Sequence, residues 1–302
     1  MSEEILHIKS IAQFHELMEL PKPTHPLISI LDVSKLVIKE KWIGKKINSD
    51  LYSIALKDKS CGLSYGRNHY DFDEGVLIFT APNQVMSVDK TQSLNDINGW
   101  MLYFHPDLIR PTALGKSIDD YSYFSYDVHE ALHLSDIEQN ILTECVAMIQ
   151  TEISERIDNH SQRVIVSSLE LLLNYSLRYY ERQFNTRASH NIDVVSKMEG
   201  LMKAYYKAGD FTKIGVPTVS YFADKIALSS NYLSDVLKKE TGYSAKDHIN
   251  NFIVNKAKVL LLNSSDSISG VAYTLGFNYP HYFSRLFKSK TGITPQKYRQ
   301  IN

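Results

Sequence analysis

The sequence predicts an α+β protein of two domains: a β-rich N-terminal part passing into a helical hairpin, and an all-α C-terminal part. Three observations lead there. Short runs rich in Val, Ile, Phe and Tyr, separated by Gly, Asn, Asp and Pro, lie between positions 50 and 105 and carry the pattern of an all-β sandwich or barrel. From Ser135 the apolar residues recur at helical spacing, which marks amphipathic helix. After position 193 everything reads as short helices, and two stretches there can be laid on one another.

The 302 residues suffice for two domains. With 43% hydrophobic and 22% charged residues the composition is that of a soluble globular protein. No apolar run approaches the roughly 18 to 20 residues that span a bilayer, so no membrane partner is expected. "MSEEILHIKS" is acidic where a signal peptide is basic, and the expected location is the cytoplasm. Cys61 and Cys145 stand in no paired motif and read as buried small hydrophobes of a reduced compartment. The net charge of −1 hides an asymmetry: from Ser196 onward fifteen Lys and Arg face seven acids. A basic third beside an acidic remainder favours a polyanion-binding module attached to something else.

"SIAQFHELMEL" predicts a first helix, and "PKPTHPL" ends it, because proline cannot continue a helix. "LYSIALK", "GVLIFTAP", "QVMSV" and "GWMLYF" predict strands. "SDIEQNILTECVAMIQTEISERID" places Ile137, Ile141, Leu142, Cys145, Met148, Ile149 and Ile153 on one helical face, and "QRVIVSSLELLLNYSLRYYERQF" predicts the returning helix. This hairpin, residues 135–183, suits homodimerisation; packing solely onto the β domain is the alternative. The polar, aperiodic stretch 184–195 reads as a linker.

His129-Glu130-x-x-His133 matches the zincin signature, in which two histidines one helical turn apart hold Zn²⁺. The residues after it argue against that reading. Ser135 followed by Glu138 forms a capping box, so a helix begins at Ser135 and leaves His133 in its lead-in. The aromatic "SYFSYDV" before it is β-prone. No metal, cofactor or catalytic residue is expected.

The C-terminal repeat aligns "ADKIALSSNYLSDVLKKETGYSAKDHI" with "AYTLGFNYPHYFSRLFKSKTGITPQKY". Tyr232 falls on Tyr282, Ser234 on Ser284, Lys238 on Lys288 and Gly242 on Gly292, at an offset of 50; Ala223 falls on Ala272 at 49, so the second turn carries one extra residue. Each copy has a short helix, a tight turn ("ALS" or "GFN", the second opened by Gly276) and a second helix. Ser229 and Asn278 are the expected N-caps, with Gly242 and Gly292 as left-handed ends. These are the parts of a helix-turn-helix, at about 218–242 and 267–292. In the second helices Tyr232, Leu233, Val236 and Leu237, and likewise Tyr282, Phe283, Leu286 and Phe287, form the apolar faces. The opposite faces carry Ser230, Asn231, Ser234, Asp235 and Lys238 in one copy and His281, Ser284, Arg285 and Lys288 in the other. Those are the groups that contact base edges and phosphates of duplex DNA. The linking helix of about twenty residues is roughly 30 Å long, near the spacing of about 34 Å between successive major-groove faces.

At these residues the region 196–302 resembles the DNA-binding domain of the AraC/XylS family of bacterial transcription regulators. The resemblance implies seven helices, two helix-turn-helices bridged by a long one, and base contacts at Asn231, Ser234 and Asp235 and at His281, Ser284 and Arg285. Asp235 departs from the basic residue often found there. Residues 1–134 resemble the family's effector domain more loosely: "YGRNHYDFDEGVLIFTAPNQV" is similar to a cupin-type β-barrel segment. Only His69 of the metal-binding cupin pattern is present there, and Met86 stands near the later histidine. The resemblance thus implies a cupin-like barrel that senses an unidentified small-molecule effector, with Tyr65, Arg67, His69 and Tyr70 as candidate polar ligand contacts. The function expected is a sequence-specific, dimeric DNA-binding regulator, nucleoid-associated when on DNA. The alternative is a metal-dependent enzyme, either a zinc protease through His129, Glu130 and His133 or a cupin-type enzyme.

Overall fold

The computed structural model describes residues 5–36, 45–57, 75–87, 98–127, 130–155, 158–186 and 188–301. The chain divides into two compact units, Met1–Asn185 and Thr186–Asn302.

The first unit holds strands β1 (Ile5–Ile8), β2 (Ile28–Asp32), β3 (Lys46–Ser49), β4 (Tyr52–Lys57), β5 (Val76–Thr80), β6 (Val85–Ser87), β7 (Gly99–Phe104) and β8 (Leu132–His133). They form an antiparallel five-stranded sheet in the order β2-β7-β4-β5-β8 and a three-stranded sheet β1-β3-β6. The four strands expected from 50 to 105 are β4 to β7. Among the described residues the two sheets stand as separate sheets, and they do not close into the barrel the sequence predicted.

Residue parity along β7 assigns its two faces. Tyr103 faces helix α1 (Ile11–Leu17), whose Phe14 ring lies 4.3 Å away, within a cluster with Ile8, Ile11 and Leu51. Phe104 faces the other way, stacked on its cross-strand partner Tyr52 at 4.8 Å. That second face is covered by 3₁₀ turns: Phe79 meets Tyr123 at 4.3 Å, and Tyr123 stacks on Tyr180 at 5.3 Å. Within the aromatic "SYFSYDV", β-prone in sequence, Ser122–Ser125 folds into one of these turns because its rings have a sheet to lie on. A short helix α2 (Ala113–Ser117) precedes them.

Helix α3 (Asp136–Ser154) begins at the capping box: Glu138 N–H donates to Ser135 Oγ, and Ser135 N–H donates to Glu138 Oε2 at 2.9 Å. Leu134 is fully buried just before it. Helix α4 (Ser161–Thr186) returns, and Arg182 donates to both oxygens of Glu138 and to the His133 carbonyl. Leu142, Cys145, Ile149 and Ile153 are buried as expected, whereas Ile137 (73% exposed) and Met148 (52%) face solvent. Burial raises the Cys145 thiol pKa; Cys61 lies outside the described residues.

The second unit contains α5 (Ala188–Ala208), α6 (Phe211–Ile214), α7 (Val219–Ile226), α8 (Ser230–Thr241), α9 (Ala245–Asn263), α10 (Ile268–Thr274), α11 (Pro280–Thr291) and α12 (Pro295–Ile301). Seven of these fit the expected count, and α6 adds a single turn. The stretch 184–195, expected as a linker, is helical on both sides of position 187. Its polar composition hides a buried stripe, Asn191, Val194, Met198, Met202 and Tyr205, that runs along α5 where it meets α7 and α8. Helix α9 packs against α7, α8, α10, α11 and α12. Ile253, Ala257, Phe222, Leu233, Phe283 and Phe287 form the fully buried centre. Among the described residues no helix is long and apolar enough to cross a membrane.

Candidate nucleic-acid interface

Both helix-turn-helices rest on one left-handed residue. In the first, α7 is capped by Thr218, which accepts from Tyr221 N–H, and ends at Ala227 with φ +59° and ψ +47°. In the second, α10 is capped by Ser267 and the turn is made by Gly276 with φ +91°. Ala227 and Gly276 correspond at the offset of 49. A Cβ on Gly276 would stand 2.7 Å from the carbonyl carbon of Gly215, so only glycine fits. Ala227 accepts the left-handed backbone at an exposed position.

The turns then diverge. Ser229 caps α8, accepting from Tyr232 N–H at 3.1 Å. Asn278 is not the second cap. The extra residue moves that role to Tyr279 (φ −131°, ψ 112°), and Pro280 opens α11 without needing a cap for its missing N–H. Both second helices end in left-handed glycines, Gly242 at φ +79° and Gly292 at φ +80°. Ser244 and Thr294 cap the helices that follow, accepting from Asp247 N–H and Lys297 N–H.

The side chains this scaffold presents differ between the copies. In α8, Asn231 and Lys238 are exposed, whereas Ser230, Ser234 and Asp235 are half-buried. Ser234 Oγ accepts from Ala245 N–H at 3.3 Å, tying α8 to the start of α9. In α11, His281, Arg285 and Lys288 are exposed and Ser284 is half-buried. Tyr282, expected on the apolar face, is 47% exposed, whereas its counterpart Tyr232 is 3% exposed. Its ring carries the Arg285 guanidinium 5.2 Å from the centroid and touches His281 at 4.2 Å. Tyr279, 61% exposed, completes the patch. The apolar face of α11 narrows to Phe283 and Phe287. The repeat alignment hid this, because it made Tyr282 the equivalent of a buried tyrosine.

A charged clamp fixes the two copies. Asp247 in the first turn of α9 accepts from Lys290 Nζ and from Ser244 Oγ, both at 2.7 Å. The Lys290 ammonium beside it holds the Asp247 carboxyl below the usual carboxylate range. Arg299 of α12 donates to the carbonyls of Leu261 and Asp266, closing the C-terminal end of α9.

Among the described residues the H-E-x-x-H stretch contributes no metal cluster. Val128 and His129 lie outside the described residues. Glu130 is buried with its carboxylate accepting from Asp127 N–H at 2.7 Å, and Leu132–His133 is strand β8 paired with β5. His133 therefore lies in a strand and not on a helix. Tyr65, Arg67, His69 and Tyr70 also lie outside the described residues.

Comparison with known proteins places the same region. The helix-turn-helix domain family matches residues 222–301. HTH-type transcriptional activator RhaS of Escherichia fergusonii is 37% identical over 78 residues, 26% of this chain and 28% of that protein; this alignment spans little more than a quarter of the relative. RhaS of Escherichia coli O81 is 24% identical over 255 residues, 83% of this chain and 86% of that protein. Among solved structures, the C-terminal domain of AraT, a response regulator from Geobacillus stearothermophilus, is 28% identical, with a TM-score of 0.31, over 35% of this chain and 84% of that one.

Proposed function

We infer that this chain is a DNA-binding transcription regulator of the AraC/XylS family. The carrying observation is the pair of helix-turn-helices, each with a left-handed turn residue, joined by one continuous helix of 19 residues. That helix is about 28 Å long, and the clamp Asp247–Lys290 holds its first turn to the end of α11. The relatives aligned along most of the chain are named transcriptional activators, and the chain is a regulator and not an enzyme.

Asn231, Arg285, His281 and Ser284 are the base-reading candidates, with Ser230, Lys238 and Lys288 on phosphates. The exposure of Arg285 and its place on the Tyr282 ring support its role; Ser234 acts first as a strut and Asp235 as a half-buried neighbour. The test is a binding-site selection by the full chain on random duplex DNA. Enrichment of a site with two elements about one helical turn apart is expected. Recovery of unenriched sequence refutes base reading.

The N-terminal unit we assign to sensing a small molecule, in a cupin-like arrangement, and to homodimerisation through α3 and α4. The exposed apolar residues Ile137, Met148, Val164 and Leu171 support the second role. Sedimentation of the full chain tests it: a dimer that Leu171→Glu dissociates is the expected result, and a monomer at all concentrations refutes it. The working compartment is the cytoplasm, where the nucleoid is.

A further inference from the structure

A cavity of about 570 Å³ opens within the C-terminal unit between α5, α6, α9 and the end of α10. That volume lies in the range of small-molecule sites, roughly 300–1,000 Å³. None of its lining residues belongs to the polar faces of α8 and α11. Its walls are aromatic. Tyr206 stacks on Phe211 with centroids 5.5 Å apart and meets Phe252 at 5.6 Å. Two lysines line the same space, Lys203 and Lys256. The Lys256 ammonium lies 5.7 Å from the Tyr206 centroid and 5.6 Å from that of Phe252. Among the described residues neither lysine forms an ion pair. Two lysines outside any ion pair, one of them over aromatic walls, are complementary to a ligand with a planar body and an anionic head.

The cavity also touches the second helix-turn-helix. The Tyr206 hydroxyl donates to the Leu275 carbonyl, one residue before Gly276. Gly276 is the residue whose backbone packs against Gly215. Gly215 directly follows α6, which carries Phe211, and its carbonyl accepts from Tyr205 at 2.8 Å. The walls at Phe211 and Leu275 are therefore continuous with the two backbones that meet at the turn.

We propose that this cavity binds a small aromatic carboxylate, its ring system among Tyr206, Phe211 and Phe252 and its carboxylate on Lys203 and Lys256, and that occupancy fixes the Gly215–Gly276 contact and so the setting of α11. The coupling to DNA rests on the regulator reading above; the binding itself does not. A ligand that prefers one setting of the turn shifts the population toward it by its difference in affinity.

The test uses the full chain with 2-naphthoate as the probe, followed by calorimetry. Saturable binding is expected, weakened about tenfold by Lys256→Gln or Lys203→Gln, and lost in Thr274→Trp, which fills the cavity. The neutral 2-naphthamide should bind about tenfold more weakly than the acid to wild type. Failure to saturate at about 10 mM, or equal affinities across wild type and variants, overturns the site. In a second arm the affinity for the selected DNA site is measured with and without saturating 2-naphthoate. A change of about threefold or more is expected. An unchanged affinity overturns the coupling. Absence of any DNA binding in either condition overturns the regulator reading while the calorimetric arm still judges the cavity.

Discussion

Asp247 and Lys290 are 43 residues apart in sequence and 2.7 Å apart in space, and their contact joins the bridging helix to the end of the second recognition helix. Both are partly exposed, at 40% and 29%, so the pair orients more than it stabilises. Lys290→Met is expected to cost within about 1 kcal/mol of stability while lowering affinity for the selected DNA site. The Asp247 carboxyl titrates below its ordinary value of 3.8 because of Lys290 and Ser244. A depressed carboxylate contributes stability that is complete above its unfolded value and lost as pH falls through the folded one. The melting-temperature gap between wild type and Lys290→Met should therefore be open at neutral pH and narrow progressively as pH falls below the ordinary carboxylate value of 3.8; a gap that does not narrow refutes the pair.

The two left-handed turn residues predict opposite outcomes for formally opposite substitutions. Gly276→Ala forces a methyl to 2.7 Å from Gly215 at φ +91° and should destabilise by more than about 2 kcal/mol. Ala227→Gly relieves a strained alanine at φ +59° and should be neutral or stabilising by up to about 1 kcal/mol. Chemical denaturation of both variants decides; a destabilising Ala227→Gly contradicts the strain argument.

Arg285 is exposed and lies over the Tyr282 ring, 5.2 Å from its centroid. Arg285→Ala should cost about 1–3 kcal/mol on the selected site and far less on scrambled duplex. Tyr282→Leu should produce a smaller loss of the same kind, because the guanidinium then has to be ordered on binding. Anisotropy titrations on both duplexes measure the two terms, and equal losses on each refute base reading by Arg285.

His25 is buried, and burial lowers its pKa from the ordinary 6.5. Its Nδ1 accepts the Leu27 N–H at 3.1 Å, which requires that nitrogen to be unprotonated. For a histidine held neutral, the unfolded chain takes up the proton first, so stability is lost as pH falls below about 6.5. Thermal melts from pH 7.5 to 5.5 should show that slope in wild type and a shallower one in His25→Asn. Parallel slopes refute the assignment.

Some of this was legible from residues alone because local chemistry decides it. Ser135 and Glu138 form their capping box wherever the helix goes, and Gly242 and Gly292 end their helices in either copy. Strands β4 to β7 announced themselves by β-branched and aromatic runs. Strands β1, β3 and β8 did not, because four or fewer residues with mixed polarity carry no period; they form because a neighbour offers backbone partners.

The sequence by itself determined the paired helix-turn-helices and the polar residue types on their second helices, which follow from spacing within a few turns of chain. It also argued against the H-E-x-x-H match, since the cap at Ser135 leaves His133 in the lead-in of α3; the pairing of His133 with β5 came from the tertiary structure. Tertiary structure alone decided three things. It set the described strands as two separate sheets where one closed barrel had been expected. It made α5 of a polar stretch whose buried stripe is visible only against α7 and α8. It turned Tyr282 outward while Tyr232 stayed in. In each case the deciding quantity is which surface the residue meets: Tyr232 and Tyr282 hold the same position in their helices, yet one is 3% and the other 47% exposed.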